Sequence, residues 1–191
     1  MRKLAFVLAL MGAPAYAAGL KIDVSGEDVS GKDIAKGSIM IDLREDLAPE
    51  HVKQIKAIAE SGAYDGVVFH RVIDGFMAQT GDVQNGNVNA DGFDMRMAGT
   101  GASEFPDLKA EFTEAPFERG VVGMARSRSP DSGNSQFFIM FAPAPHLNGQ
   151  YTVVGAVTDG LDVLDTIKQG KGRNGSVLGT PDRMNKVTVT E

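Results

Sequence analysis

The chain has 191 residues, 42% hydrophobic and 23% charged, which suits one globular domain, or at most two, with a real core. The formal net charge is −6 and the basic residues form no run, which argues against a nucleic-acid-binding surface. No cysteine is present, and this excludes a thiol nucleophile, a thiolate metal site and thiol redox chemistry.

The first stretch reads as a leader and not as part of the fold. Arg2 and Lys3 give a positive start, an unbroken apolar run follows to Met11, and Ala15-Tyr16-Ala17 has the form of a cleavage site. The run is too short for a membrane anchor, since a spanning helix needs ~20 apolar residues. Residues 1–17 are therefore expected to be a signal peptide. The product would be an exported protein with no membrane attachment, in the periplasm if the cell has two membranes.

Residues 18–36 are polar around Gly26 and Gly31 and are expected to form a ragged lead-in to a domain over 37–191. Residues 38–43 alternate, with Ile39, Ile41 and Leu43 on one face, as in a half-buried strand. Pro49 suits a first helical turn, Val52, Ile55 and Ala59 share a face, and Gly62 sits where a C-terminal cap falls, so 49–61 is a predicted helix. Residues 67–73 and 137–141 are short β-branched and aromatic runs, read as buried strands. Asn148-Gly149 signals a hairpin leading into a strand over 151–157. Leu161, Leu164 and Ile167 mark a second helix ended by Gly170, and Val187 and Val189 alternate in a last strand. No repeat or Pro-rich linker divides the chain. One mainly β domain with two helices is the expected architecture.

Catalytic signatures for nucleophiles, phosphates and dinucleotides are missing. His51, His70 and His146 are scattered without metal-ligand spacing. Any chemistry should need neither a nucleophile nor a metal. Rotation about an X–Pro bond is such a reaction, needing an apolar slot and one well-placed donor.

Residues Phe69-His70-Arg71-Val72-Ile73-Asp74-Gly75-Phe76-Met77-Ala78-Gln79-Thr80-Gly81-Asp82 match F-H-R-x-I-x-G-F-M-x-Q-x-G-D at every fixed position. Gly123-Met124-Ala125 and Ser135-Gln136-Phe137-Phe138-Ile139 follow, and then Leu147-Asn148-Gly149-Gln150-Tyr151. In these motifs, their order and their spacing, the chain resembles the cyclophilin family of peptidyl-prolyl cis-trans isomerases from about Gly37 to Glu191.

The resemblance implies a closed, antiparallel, eight-stranded barrel capped by two α-helices, with an active groove on its outer surface. It implies Arg71 as the catalytic group. Phe76, Met77, Phe138 and Leu147 would form the proline pocket, with Gln79 and Gln136 orienting substrate. Gly99 would edge the groove, and Ala125, Arg126 and Ser127 would pair by backbone with an extended client. His146 stands where vertebrate relatives carry tryptophan, so weak cyclosporin binding is expected. Tyr151 stands where many have histidine, Arg126 replaces an asparagine, and His70 is assigned a structural role. Residues 83–98 make a longer loop than usual. No cofactor is implied. The implied protein is a monomer acting on proline-containing polypeptides of exported proteins and assisting their folding. A cyclophilin-like chaperone without turnover is the alternative, which the presence of Arg71, Phe76, Gln79 and Phe138 disfavours.

Overall fold

The structure, a computed structural model, describes residues 18–191. The leader expected over 1–17 lies outside the described residues. Among the described residues nine strands form one antiparallel sheet: β1 (Gly19–Glu27), β2 (Asp33–Leu43), β3 (Val67–Val68), β4 (Arg71–Ile73), β5 (Met77–Thr80), β6 (Val121–Met124), β7 (Phe137–Met140), β8 (Val153–Asp159) and β9 (Arg183–Thr190). Their order is β3-β9-β1-β2-β8-β6-β7-β5-β4. The helices are α1 (Pro49–Glu60) and α2 (Leu161–Asp165), lying against β9 and β2 respectively.

The sheet is curled and has nine strands, not the closed eight-stranded barrel expected: β3 and β4 stand at its two ends and do not pair with each other. Residues 67–73, read as one strand, are two pieces that pair with opposite ends of the sheet: β3 with β9, and β4 with β5. Between them Phe69 N–H donates to the Asp182 carbonyl (2.9 Å), and the His70 carbonyl accepts from Val177 N–H (3.0 Å). The two edges of the curled sheet are thus joined by two residues of chain.

The lead-in expected over 18–36 is corrected. Its first half is β1, paired with β2 on one side and β9 on the other, with Leu20, Ile22 and Val24 buried. The period of two is present in the sequence, but Lys21, Asp23 and Ser25 alternate with the apolar residues, so the stretch as a whole reads as polar. Asp28 Oδ1 closes the turn to β2 by accepting from Ser30 N–H (2.8 Å) and Lys32 N–H (3.0 Å), an Asx turn.

Helix α1 forms as its punctuation predicts. Pro49 occupies the first turn, and Gly62 follows the end with φ +76°, where a side chain would be strained. Ala48 offers no capping side chain. Glu111, 61 residues beyond Glu50, takes that part: its carboxylate accepts from Glu50 N–H (3.2 Å) and His51 N–H (3.0 Å), and from His51 Nδ1 (2.6 Å). Burial works against ionised Glu111, but these hydrogen bonds outweigh it and hold its pKa below the ordinary value. The second helix is shorter than the periodicity suggests and ends at Thr166, with Ile167 buried just beyond. Asn148-Gly149 is not a hairpin. It follows a 3-10 turn over Pro145–Leu147, and Asn148 Oδ1 accepts from Phe117 N–H (2.9 Å).

Two apolar cores result. The larger gathers inward residues of the sheet and helices, among them Ile22, Ile39, Ile55, Phe69, Ala78, Val122, Phe137 and Ile139. The smaller lies on the outer face: Met77, Phe117, Phe138, Met140, Ala144, Leu147 and Val153. Strands β5 and β7 contribute to both, because successive side chains point to opposite faces.

Candidate active site

The outer core forms the floor of a groove. Phe117 and Phe138 stack with centroids 5.8 Å apart, and Tyr151 packs edge-on against Phe138 at 5.6 Å. Gly123 permits the stack. A Cβ there would fall 2.5 Å from Phe138 Cζ and 2.6 Å from Phe117 Cε1. Above this floor opens a cavity of about 150 Å³ lined by Arg71, Phe76, Met77, Gln79, Ala125, Arg126, Phe138, Leu147 and Tyr151. Gln79, Ala125 and Arg126 separate it from a second cavity of about 320 Å³, which adds Gly99, Ser127 and Gln136 to its lining.

Strand β4 places Arg71 opposite Gln79 of β5, so the pair interacts across the ladder. Arg71 Nη1 donates to Gln79 Oε1 (3.1 Å), and Nε donates to the Asn174 carbonyl (2.9 Å). Asn174 has φ +56° and is the only non-glycine residue with positive φ among those described. Its left-handed conformation brings that carbonyl under the guanidinium. Arg71 has no carboxylate partner among the described residues, and its Nη2 makes no hydrogen bond. Burial draws the guanidinium below its ordinary pKa, with Tyr151 opposing. It stays a cation, since arginine does not deprotonate in proteins.

His70 is buried beneath Gly99. Neither ring nitrogen makes a hydrogen bond of good geometry. Burial lowers its pKa to about 4, an effect that the Asp82 charge, the Val68 carbonyl and the Gln136 side chain only partly offset. At neutral pH it is an uncharged packing element beside Arg71.

The structure brings together twelve of the thirteen residues singled out from sequence. Arg71, Phe76, Met77, Phe138, Leu147 and Tyr151 line the first cavity, Gly99, Ser127 and Gln136 the second, and Gln79, Ala125 and Arg126 both. Arg126 lies 4.5 Å over the Tyr151 ring and donates from Nε (3.2 Å) and Nη2 (3.1 Å) to the Gln150 carbonyl. His146 lines neither cavity. It is exposed and stacks on Phe76 at 5.8 Å, one side chain removed from the slot. Sequence reading missed Thr100, Gly101, Ala102, Asp107, Ser132, Asn134 and Ser135 in the second cavity. Most of these belong to irregular segments, where no periodicity marks a face.

An apolar slot of about 150 Å³ thus opens beside a guanidinium held at Nε and Nη1. Residues 28–189 match the family model described as cyclophilin type peptidyl-prolyl cis-trans isomerase/CLD. A probable peptidyl-prolyl cis-trans isomerase of Brucella suis is 50% identical over 192 residues, covering 97% of each chain. A peptidyl-prolyl cis-trans isomerase of Helicobacter pylori is 40% identical over 139 residues, covering 71% of this chain and 77% of that one. Among solved structures, a Cryptosporidium parvum cyclophilin type peptidyl-prolyl cis-trans isomerase superposes with TM-score 0.70 over 91% of this chain and 97% of its own, at 23% identity. That likeness concerns the fold. The chain belongs to the cyclophilin-type peptidyl-prolyl cis-trans isomerase family, and it is an enzyme of that reaction.

Proposed function

We propose that the groove is where this isomerase turns X–Pro bonds, with Arg71 as the catalytic group. The observation that carries this is a half-buried guanidinium, fixed at Nε and Nη1 and free at Nη2, on the rim of an apolar slot of about 150 Å³. Phe76, Met77, Phe138 and Leu147 would hold the proline ring. A related Cryptosporidium parvum enzyme was crystallised in the presence of the dipeptide Ala-Pro, which agrees with proline-containing clients.

The bond resists rotation because conjugation gives it partial double-bond character, with a barrier of ~18–20 kcal/mol. As it twists, the prolyl nitrogen leaves conjugation and its lone pair becomes a hydrogen-bond acceptor. A cationic donor then interacts more strongly with the twisted state than with either planar one, and such differential binding lowers a barrier. Holding the ring alone would stabilise planar and twisted states alike. By analogy with removing one preorganised donor from an oxyanion hole, Arg71→Ala should slow turnover by about 10²–10³, or ~2.7–4 kcal/mol. The assay is isomerisation of a proline peptide, with circular dichroism on the same samples. A folded Arg71→Ala enzyme within about threefold of wild type, ~0.7 kcal/mol, would remove Arg71 from the mechanism.

The clients are exported proteins whose folding the enzyme assists, in the periplasm. What supports this is the leader pattern of residues 1–17, whose cleavage after Ala17 would leave Ala18 as the first residue. N-terminal sequencing of protein recovered outside the cytoplasm should read from Ala18. A start at Met1 there would refute it.

A further inference from the structure

Asp82 lines neither cavity, yet its carboxylate is fully buried and pairs with no cation among the described residues. Buried carboxylates are costly unless hydrogen-bonded, and three backbone N–H groups converge on this one. Oδ1 accepts from Asn85 N–H (2.9 Å), and Oδ2 accepts from Gly99 N–H (2.7 Å) and Gly101 N–H (2.9 Å). Asp82 therefore fastens both ends of the loop over residues 83–98. The two glycines are what let backbone lie this close. A Cβ on Gly101 would fall 2.5 Å from Asp82 Oδ1, and one on Gly99 would fall 2.6 Å from His70 Cδ2.

From those glycines a relay of hydrogen bonds runs to the guanidinium. The carbonyls of Gly99 (3.2 Å) and Gly101 (2.8 Å) accept from Gln136 Nε2. Gln136 Oε1 accepts from Gln79 Nε2 (3.0 Å), and Gln79 Oε1 accepts from Arg71 Nη1 (3.1 Å). The relay has only one polarity. A guanidinium can only donate and a carbonyl can only accept, so each amide between them has a single allowed orientation. Both glutamines thus direct their amides to each other, to the loop and to Arg71.

We propose that Asp82 is a positioning residue for Arg71, acting through Gly99, Gly101, Gln136 and Gln79. The proposal rests on the reading of Arg71 as the group that acts on the twisted bond. Loss of the Asp82 acceptors would let the two glycine carbonyls drift, and the guanidinium would lose its fixed seat while the apolar slot stayed intact.

The test is a cycle of Asp82→Asn and Arg71→Ala, with kcat and KM measured for a proline peptide. Asparagine keeps the shape but presents a donor where N–H groups converge. Asp82→Asn should lower kcat by about tenfold, inside the ~10²-fold that a 1 Å misplacement can produce, and leave KM within about twofold. In the Arg71→Ala background it should lower kcat no further, because residues that act as one unit are not additive. Gln136→Glu sets a carboxylate against the two glycine carbonyls and should reproduce the kcat loss, which keeps the proposal testable if Asp82→Asn does not fold. Normal kcat in folded Asp82→Asn, in folded Gln136→Glu, or an equal loss with and without Arg71, overturns the proposal alone. Normal turnover in Arg71→Ala overturns the Arg71 reading and the proposal with it.

Discussion

Gly123 lies under the apolar slot proposed to hold proline, and a single methyl added there should separate affinity from turnover. The Cβ of Gly123→Ala would meet Phe138 Cζ at 2.5 Å, Phe117 Cε1 at 2.6 Å and Phe138 Cε2 at 2.9 Å. Carbon atoms pack at ~3.5–4.0 Å, so the rings must withdraw by about 1 Å. Phe117 is 1% exposed and pinned at its own backbone, where its N–H donates to Asn148 Oδ1 and its carbonyl accepts from Ala144 N–H. Phe138 is the freer ring, with the cavity on its far side, so it is the one to move, into the slot. Overpacking of this kind destabilises by ~1–3 kcal/mol. In the slot, a misfit of one carbon is worth ~1–3 kcal/mol, or about 10–200-fold in kcat/KM. The loss should come through KM, because Arg71, Gln79 and Gln136 are not displaced. Peptide isomerisation at varied substrate concentration gives the split, and urea unfolding gives the stability. Phe138→Leu in the Gly123→Ala background removes the obstructed ring atoms and should recover part of the stability. A folded Gly123→Ala enzyme with KM within twofold of wild type and an unmoved urea midpoint would show that the glycine does not seat the aromatic floor.

Two further outcomes follow from buried and exposed histidines. Folded His70 resists protonation down to about pH 4, whereas the unfolded chain takes that proton near its ordinary value of 6.5. Between these values the unfolded state binds more protons, so stability is full above pH 6.5 and falls as the pH drops to 4, by about 3 kcal/mol at ~1.4 kcal/mol per unit. Urea unfolding across that window should show the slope in wild type and a flatter one in His70→Gln; a flat wild-type profile contradicts the neutral buried ring. His146→Trp should tighten cyclosporin inhibition, since an indole adds flat apolar area and a donor where His146 stacks on Phe76. Equal inhibition of both proteins would mean that this position does not face the drug.

How far the sequence could be read depended on how local the cause was. Helix α1 was legible because Pro49 and Gly62 punctuate it within fourteen residues, and strand β7 because Phe137 to Met140 is apolar on both faces. Strand β1 was hidden by the polar half of its own alternation. Asn148-Gly149 misled because the dipeptide specifies a tight turn and not what the turn joins; here it serves a 3-10 turn and a side-chain bond to Phe117. Motif positions named twelve of the residues that line the two cavities. The bonds among those residues were not legible. Arg71 and Gln79 are eight positions apart and Gln79 and Gln136 fifty-seven, and only the register of β4, β5 and β7 sets them side by side.

The position of the groove follows from the size of the sheet. When a curled sheet is this small, side chains fill its interior and leave no room for a ligand. A substrate must then be held on the outer face, and an outer face offers a rigid slot only if it has packing of its own. The second core supplies that packing: Phe138 and Met140 of β7 and Met77 of β5 turn outward and are covered by Phe117, Ala144, Leu147 and Val153. The slot opens where this cover stops, and Arg71 enters it from β4, the strand paired with β5. Neighbouring residues on one strand therefore do different work. Truncation of Ile139, buried in the inner core, removes stability. Truncation of Phe138, one residue before it, removes the floor of the slot proposed to hold the proline ring.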